Sequence, residues 1–239
     1  MNRKELSAGL AGDVSLGGEI SVRRLGFGAM RLTGEGIWGP PKDHNEAIRV
    51  LKRAVELGVN FIDTADSYGP YVSEELIAEA LHPYPTRLVI ATKGGLMRTG
   101  PDQWPVNAHP DHLKEALEGS LKRLKVDQID LYQLHRIDPK VPAEQTFEFL
   151  KKVQQEGKVK HIGLSEVSVS DIKKAQQYFE VVSVQNMYSV DNRKWEPVLE
   201  YCQANNIAFI PWFPLNAGNV EASDKINQIA ENVMQLCTR

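Results

Sequence analysis

The sequence NFIDTADSYG, residues 60–69, passes from a short apolar strand into a polar turn, and this transition recurs along the whole chain. Phe61 and Ile62 are typical of the end of a buried strand, whereas the residues after them have the composition of a turn. Within that turn Asp63 and Tyr68 place a carboxyl group and a phenol just beyond the strand. Polar groups that leave a core strand together are costly to bury without partners, which marks this stretch as a candidate site.

The same order of strand, polar loop and amphipathic helix recurs about every 30 residues, which favours parallel β/α units. The predicted core strands are Leu25–Gly28, Val59–Ile62, Leu88–Ala91, Ile129–Leu134, Val159–Gly163, Val181–Val184 and Ile207–Pro211. The predicted helices are Asn45–Leu57, Ser73–Leu81, Pro110–Leu124, Ala143–Glu156, Ser170–Phe179, Arg193–Asn205 and residues 221–236. The strands are almost continuously apolar, as parallel strands buried on both faces are. Ahead of them, Gly17 and Gly18 predict an N-terminal β-hairpin with a two-residue turn.

Such a chain can form an open doubly wound sheet or a (β/α)8 barrel. Open sheets that bind dinucleotides carry a G-x-G-x-x-G sequence that opens a helix. Here GFGAMR, residues 26–31, has Arg31 at the third glycine position and leads into a long loop. The polar residues also follow strand ends, where barrels build their active sites. We therefore predict a single TIM-type (β/α)8 barrel domain over residues 1–239.

Composition narrows the possible partners and locations. Lys and Arg number 28 against 31 Asp and Glu, a net charge of −3, so we expect no nucleic-acid or membrane binding. No apolar run approaches the roughly 20 residues that span a bilayer, and Cys202 and Cys237 suggest reduced thiols, so we expect a cytoplasmic protein.

His109 and His112 lie three residues apart, but without a third ligand we favour a helix start over a metal site. The oligomeric state is left unspecified.

Two further polar residues accompany Asp63 and Tyr68 at successive strand ends. Lys93 follows the third strand and His135 ends the fourth. Because parallel neighbours end at one rim, the four side chains are expected to converge as an acid/base set. Lys93 is expected to lower the pKa of Tyr68 from its usual value of about 10, and Asp63 to keep Lys93 charged. His135 would orient a substrate oxygen.

These motifs together resemble the aldo-keto reductase family, from about Leu25 to Leu215. The resemblance rests on DTADSYG at residues 63–69, the strand-end lysine, the Asp-x-x-x-x-His spacing of residues 130–135, and Gly-Leu-Ser at residues 163–165. It implies a barrel enzyme that transfers hydride between NADPH, or NADH, and small-molecule aldehydes and ketones. In that role Tyr68 is the general acid, Lys93 its pKa-lowering neighbour, Asp63 the partner of Lys93, and His135 the residue that orients the carbonyl.

The resemblance also implies a cofactor site. Ser165 and Gln185 would hold the nicotinamide carboxamide, Trp212 would stack on the nicotinamide ring, and two further residues, Pro214 and Leu215, would line the diphosphate path. Many relatives have Asn after this serine, whereas this chain has Glu166. A carboxylate can accept a hydrogen bond from the carboxamide but cannot donate one, so cofactor affinity is expected to differ.

The eighth strand of the barrel, with its loop and helix, is not found in the sequence. We therefore expect a C-terminally truncated barrel with about seven core strands, or a gap covered by another chain or by the helix at residues 221–236. The family resemblance places much of the adenosine and 2′-phosphate site in the missing region. A catalytically weak or inactive reductase-like protein, which binds a nucleotide or a partner, is therefore the main alternative function.

Other interpretations are simpler or chemically different. Taken alone, Asp63 is typical of a turn residue, Lys93 of a solvated loop lysine and His135 of a structural imidazole. Strand-end polar residues such as Ser165 and Gln185 often satisfy backbone groups. A barrel aldolase or isomerase that forms an imine on Lys93 is disfavoured, because pairing with Asp63 should keep the amine protonated. Tyr71, Trp38 and Trp104 fall on loops over the rim, where they either shape a pocket for apolar or aromatic carbonyls or simply cover the barrel mouth.

Overall fold

The computed structural model describes residues 7–189 and 192–214. Its strands are β1 (Asp13–Leu16), β2 (Ile20–Arg23), β3 (Phe27–Gly28), β4 (Phe61–Asp63), β5 (Val89–Gly94), β6 (Ile129–Leu134), β7 (Val159–Ser165), β8 (Val181–Met187) and β9 (Ala208–Trp212). Its α-helices are α1 (His44–Glu56), α2 (Val72–Leu81), α3 (Pro110–Leu124), α4 (Ala143–Gln155), α5 (Val169–Ala175) and α6 (Glu196–Ala204). Short 3₁₀ turns cover Ala8–Ala11, Ala29–Leu32 and Glu35–Ile37.

Seven parallel strands form one curled sheet in chain order from β3 to β9. Each strand pairs with the next one along the chain, and from β4 to β9 a helix lies in each connection. The predicted truncated (β/α)8-type barrel with an N-terminal hairpin is thereby confirmed. In the described part of the chain, no eighth core strand joins β9 to β3. The helix predicted at residues 221–236 and the thiol of Cys237 lie outside the described residues, and the single-domain organisation of residues 1–239 stays a prediction.

The N-terminal hairpin closes the end of the sheet at which the strands begin. Leu16 and Val22 are buried in one apolar cluster with residues from β4, β5, β6, β8 and β9. Leu16 pairs with Ile20, so the loop contains three residues, 17–19, rather than the two that were predicted. Gly17 has a φ of 56°, and a Cβ on it would lie 2.8 Å from the ring of His161, so this position requires glycine.

The helices follow the predicted positions within a few residues, because their caps and apolar spacing are readable in the sequence. Asp43 caps α1 by accepting a hydrogen bond from the backbone N–H of Glu46 at 2.8 Å. Helix α5 is the exception, since it ends at Ala175 and the chain continues in turns to Phe179. Phe179 nevertheless packs on Phe147, with 5.9 Å between ring centroids. Because it lies in the core, the apolar pattern of the sequence does not distinguish it from a core residue of a helix. No helix of the described residues is long and apolar enough to cross a membrane.

Three core strands extend at least two residues further than the sequence predicted. β5 runs to Gly94 rather than Ala91, β7 to Ser165 and β8 to Met187. The extra residues include polar side chains at the strand ends, which interrupt the apolar pattern without interrupting the strand. Lys93, Ser165 and Gln185 therefore lie within strands, where the register with neighbouring strands fixes their direction.

Candidate active site

The side chain of Lys93 lies at the centre of the polar cluster at the carboxyl ends of the strands. It is fully buried, and its Nζ donates to Asp63 Oδ2 at 2.7 Å, to the carbonyl of Thr64 at 2.8 Å and to Tyr68 Oη at 3.4 Å. An ammonium group has three N–H donors, and all three are used here. The amine is thus held next to the phenol by a carboxylate and a backbone carbonyl.

Asp63 is itself held in place by two amides. Its Oδ1 accepts hydrogen bonds from Gln133 Nε2 at 3.0 Å and from Gln185 Nε2 at 2.9 Å, while Oδ2 faces Lys93. The carboxylate therefore has partners on both oxygens from strands β5, β6 and β8. Pairing of Asp63 with Ala91, across β4 and β5, aligns these strand ends. Asp63 is a positioned partner of the amine, and the interpretation as an isolated turn residue is excluded.

Tyr68 and His135 complete the cluster. The two rings are perpendicular, with centroids 5.9 Å apart, and both side chains are buried. His135 directly follows β6, its backbone N–H donates to the carbonyl of Gly94 at 2.8 Å, and its Nδ1 lies 3.5 Å from Ser67 Oγ. The four predicted residues therefore meet at one rim, as their strand-end positions indicated.

The rim continues past the cluster to the residues predicted for the cofactor. Ser165 ends β7, and it pairs in register with Gln185 of β8. Glu166 has a φ of 55°, and its Oε1 accepts from the backbone N–H of Met187 at 2.6 Å and from Trp212 Nε1 at 2.8 Å. Trp212 ends β9, and its indole is held by Glu166, the residue that follows Ser165.

A model of the Aldo/keto reductase family matches residues 24–236. This chain belongs to that family. It is 57% identical over 213 residues to an uncharacterized oxidoreductase of Schizosaccharomyces pombe. The match covers 89% of this chain and 69% of that protein. It is also 39% identical over 222 residues to pyridoxine 4-dehydrogenase of Escherichia coli. That match covers 90% of this chain and 78% of that protein.

The fold of this aldo/keto reductase is also shared with solved structures. An aldo-keto reductase from Klebsiella pneumoniae, solved in complex with NADPH, is 25% identical and has a TM-score of 0.74. The match covers 92% of this chain and 76% of that one. The relatives of this chain therefore include oxidoreductases and an aldo-keto reductase that was solved with a bound nicotinamide cofactor.

The pKa of Tyr68 in this aldo/keto reductase is set by two opposing effects. Burial raises the pKa of Tyr68 above its usual value, and the opposing effect of the Lys93 charge is smaller. Lys93 lowers this pKa through its charge and its hydrogen bond, as predicted, but burial of the phenol raises it by more, so the net shift is upward. The phenol stays protonated and is a hydrogen-bond donor.

The imidazole of His135 and the amine of Lys93 also have definite charges. Burial lowers the pKa of His135 well below its usual value, and the charges of Lys93 and Arg136 lower it further, so the imidazole is neutral. Burial also acts to lower the pKa of Lys93, but the charge of Asp63 and the hydrogen bonds to Asp63 and Tyr68 outweigh it, so the pKa is raised. A protonated amine cannot attack a carbonyl, which counts against the imine-forming alternative.

Sequence reasoning missed two residues of the site in this aldo/keto reductase. Gln133 holds Asp63 from β6 and is fully buried, and an amide within an otherwise apolar strand was the signal. Arg136 follows the histidine, and its Nη1 donates to the carbonyl of His135 and, at 3.0 Å, to Ser165 Oγ. A charged residue directly after a strand-end histidine was the signal for it.

The structure also locates His109, predicted at a helix start, and Pro214, predicted on the diphosphate path. His109 caps α3 by accepting from the backbone N–H of Asp111 at 3.3 Å, so the helix-start interpretation is confirmed. Across residues 7–189 and 192–214, no three His, Cys, Asp or Glu side chains group as metal ligands would. Pro214 follows β9, and Leu215 lies outside the described residues.

Proposed function

We propose that this chain is an NADPH-dependent reductase of small-molecule aldehydes and ketones. The observation that carries the proposal is the buried Lys93 ammonium, which contacts Asp63 at 2.7 Å and Tyr68 Oη at 3.4 Å beside the neutral His135. In this arrangement a phenol and an imidazole, each able to donate a hydrogen bond, lie beside each other at the rim, with ring centroids 5.9 Å apart. The family membership and the oxidoreductase relatives support the same reaction class.

The roles follow from where charge develops. A nicotinamide cofactor, when bound, supplies the hydride. As the carbonyl oxygen becomes negative, the Tyr68 O–H donates its proton to it and the neutral His135 N–H donates a hydrogen bond. Donors already aimed at a developing oxyanion lower the barrier by several kcal/mol. The protonated Lys93 then stabilises the phenolate left on Tyr68, and Asp63 keeps Lys93 from losing its own proton.

The residues at the ends of β7 to β9 fit the nicotinamide end of the cofactor. A carboxamide needs both a donor and an acceptor, which the Ser165 hydroxyl and the Gln185 amide oxygen provide. Gln185 Nε2 is committed to Asp63, so binding of the cofactor and support of Lys93 share one side chain. Trp212 offers a ring for stacking, Glu166 holds that ring, and Pro214 with Leu215 would line the diphosphate path. The NADPH complex of the Klebsiella pneumoniae relative supports this choice of cofactor.

The test is the oxidation of NADPH in the presence of 4-nitrobenzaldehyde, followed by cofactor absorbance. Tyr68→Phe removes only the phenolic oxygen and should abolish turnover, because it removes the O–H that is proposed to protonate the carbonyl oxygen. Quenching of tryptophan fluorescence by NADPH should be unchanged in this variant. Tyr178→Phe is the matched control, since Tyr178 lies in the turns that follow α5 and packs on Phe147, away from the rim.

Retained turnover in Tyr68→Phe would overturn the assignment of Tyr68 as the acid. Binding of NADPH by the wild-type chain without turnover of any aldehyde would instead favour the alternative, a reductase-like protein that binds a nucleotide or a partner. Turnover in Tyr178→Phe should equal that of the wild-type chain.

A further inference from the structure

Arg98 lies on the loop after β5 and directs its guanidinium at the backbone of three loops. Its Nε donates to the carbonyl of Gln103 at 3.0 Å, its Nη1 to Ile37 at 2.6 Å and to Ser67 at 3.0 Å, and its Nη2 to Gly36 at 2.9 Å and Gly100 at 3.2 Å. A guanidinium has five N–H donors. All five are taken up by backbone carbonyls, so this cation has no donor left for a ligand.

The same guanidinium lies between two tryptophan rings. Its central carbon is 3.7 Å from the ring centroid of Trp104 and 5.5 Å from that of Trp38. A cation over an aromatic face is attracted by the ring quadrupole, and a planar guanidinium also stacks. Arg98 therefore fixes the two rings as well as the loops that carry them. The pair Trp38 and Trp104 is called the aromatic wall below.

The aromatic wall borders the phenol that is proposed to protonate the substrate. The rings of Trp104 and Tyr68 are perpendicular, with centroids 6.3 Å apart, and Trp38 bridges to Gly69, the residue after Tyr68. Ile37, buried beside Arg98, belongs to the same apolar cluster as Tyr68, against which Trp104 also packs. The side chains that border Tyr68 on this side are thus aromatic and apolar.

We propose that Arg98 is a positioning residue that holds Trp38 and Trp104 as a fixed aromatic wall beside Tyr68, which makes the site selective for flat, neutral aromatic aldehydes over small aliphatic ones. This proposal rests on the proposed reductase function for its kinetic readout. Arg98 does not touch the reacting atoms. Because Arg98 already fixes the loops and the rings, they lose less conformational entropy when an aromatic substrate binds.

Lysine cannot replace arginine in this position. It has three donors on a compact, strongly hydrated ammonium, whereas the site uses five donors in a planar fork stacked on a ring. A methionine would keep the apolar stem and lose every hydrogen bond. Arg98→Lys and Arg98→Met therefore form a graded pair, in which the lysine variant should recover part of the function.

The experiment compares 4-nitrobenzaldehyde with propanal in the NADPH oxidation assay. Arg98→Met should raise KM for the aromatic aldehyde about tenfold, the equivalent of one lost aromatic contact of about 1.4 kcal/mol. KM for propanal and the dissociation constant of NADPH should stay within about twofold, because neither uses the wall. Arg98→Lys should fall between, and Arg87→Met, at an exposed arginine of the loop before β5, should behave as wild type.

An equal rise in KM for both aldehydes in folded Arg98→Met would overturn the proposal. If that variant does not fold, as judged by circular dichroism, Trp104→Leu tests the same wall, and an unchanged preference for the aromatic aldehyde would overturn it. A wild-type chain without turnover would refute the reductase function alone. In that case, quenching of tryptophan fluorescence by 4-nitrobenzyl alcohol reports on the wall, and binding that is equally tight in wild type and Arg98→Met would overturn the proposal independently.

Discussion

Two buried ion pairs lie on opposite faces of β5 and differ in what surrounds them. Lys93 points into the barrel and pairs with Asp63 at 2.7 Å, whereas its neighbour Thr92 points outward and donates to Glu74, which pairs with Arg123 Nε at 2.7 Å. Successive residues of a strand face opposite sides, so one strand supports both pairs. The inner pair is Lys93 with Asp63, and the outer pair is Glu74 with Arg123.

The difference lies in exposure and neighbours. In the inner pair the cation is fully buried and the side chain of Asp63 is 16% exposed at the rim, and the amine also contacts a phenol that can exchange a proton. In the outer pair the carboxylate is fully buried, and its partners are the guanidinium and the hydroxyl of Thr92. The inner pair thus contacts a titratable neighbour at the rim and is the pair proposed to support the reaction. The outer pair is sealed and connects α2 and α3 to the sheet. Each pair can be broken separately.

Breaking the inner pair should affect turnover most. Lys93→Met removes the cation that stabilises the Tyr68 phenolate and should lower kcat for aldehyde reduction on the order of 10³-fold. The dissociation constant of NADPH, measured by tryptophan fluorescence, should change little because Ser165 and Gln185 remain. A fall in kcat of less than about tenfold would show that the amine is not needed for proton transfer.

Breaking the outer pair should affect stability rather than turnover. Glu74→Gln leaves the Arg123 guanidinium, whose side chain is 16% exposed, without its counter-charge. Removal of one partner from a buried pair typically lowers the free energy of unfolding by about 3 kcal/mol or more. Urea unfolding measures this loss, and kcat at a temperature where the variant is folded should match wild type.

The double variant Glu74→Leu/Arg123→Met is the control for that experiment. Replacing both charges with apolar side chains should recover much of the lost stability, because no uncompensated charge remains. A large loss of kcat in folded Glu74→Gln would contradict the separation of the two pairs.

The pKa of Asp66 is affected by charged residues of both pairs, so the pH dependence of stability gives a further test of the comparison. Burial, and then the charge of Glu74, raise the pKa of Asp66 from 3.8 to about 8, and its Oδ1 has no hydrogen-bond partner. The folded chain therefore holds a proton that the unfolded chain has lost, so stability falls as pH rises between those two values. One such proton gives a slope of up to about 1.4 kcal/mol per pH unit.

Asp66→Asn removes this titration while keeping the shape of the side chain. The stability of the variant relative to wild type should increase as pH rises from 5 to about 8 and then level off, when the carboxyl is ionised in both states. Urea unfolding at four pH values in this range measures the difference. A difference that does not change with pH would mean that Asp66 is already ionised in the folded chain.

Much of the fold and of the inner pair could be predicted from the sequence. Asp63, Lys93 and His135 each interrupt or end an apolar run, and parallel strands bring such positions to one rim whatever the details of packing. Strand ends were less predictable. Polar residues such as Ser165 continue a strand inside the barrel, where the hydrophobic pattern alone indicates a loop.

The remaining features depend on distances that the order of residues does not contain. The direction of the Tyr68 pKa shift depends on burial competing with a cation 3.4 Å away. The role of Gln133 depends on the register of β6, which decides the face that its amide occupies. The role of Arg98 depends on three loops, at residues 36–37, 67 and 100–103, that only the folded chain brings together.

The N-terminal hairpin has a consequence for the order in which the chain folds. Its own strands are joined by a short loop, so it can form within microseconds by itself. Its docking contacts are different, since Leu16 and Val22 share an apolar cluster with residues of β4, β5, β6, β8 and β9. These contacts become available only after strands distant in the sequence have assembled, at the entropic cost of closing long loops. The hairpin is therefore expected to dock among the last elements, although it precedes the core strands in the sequence.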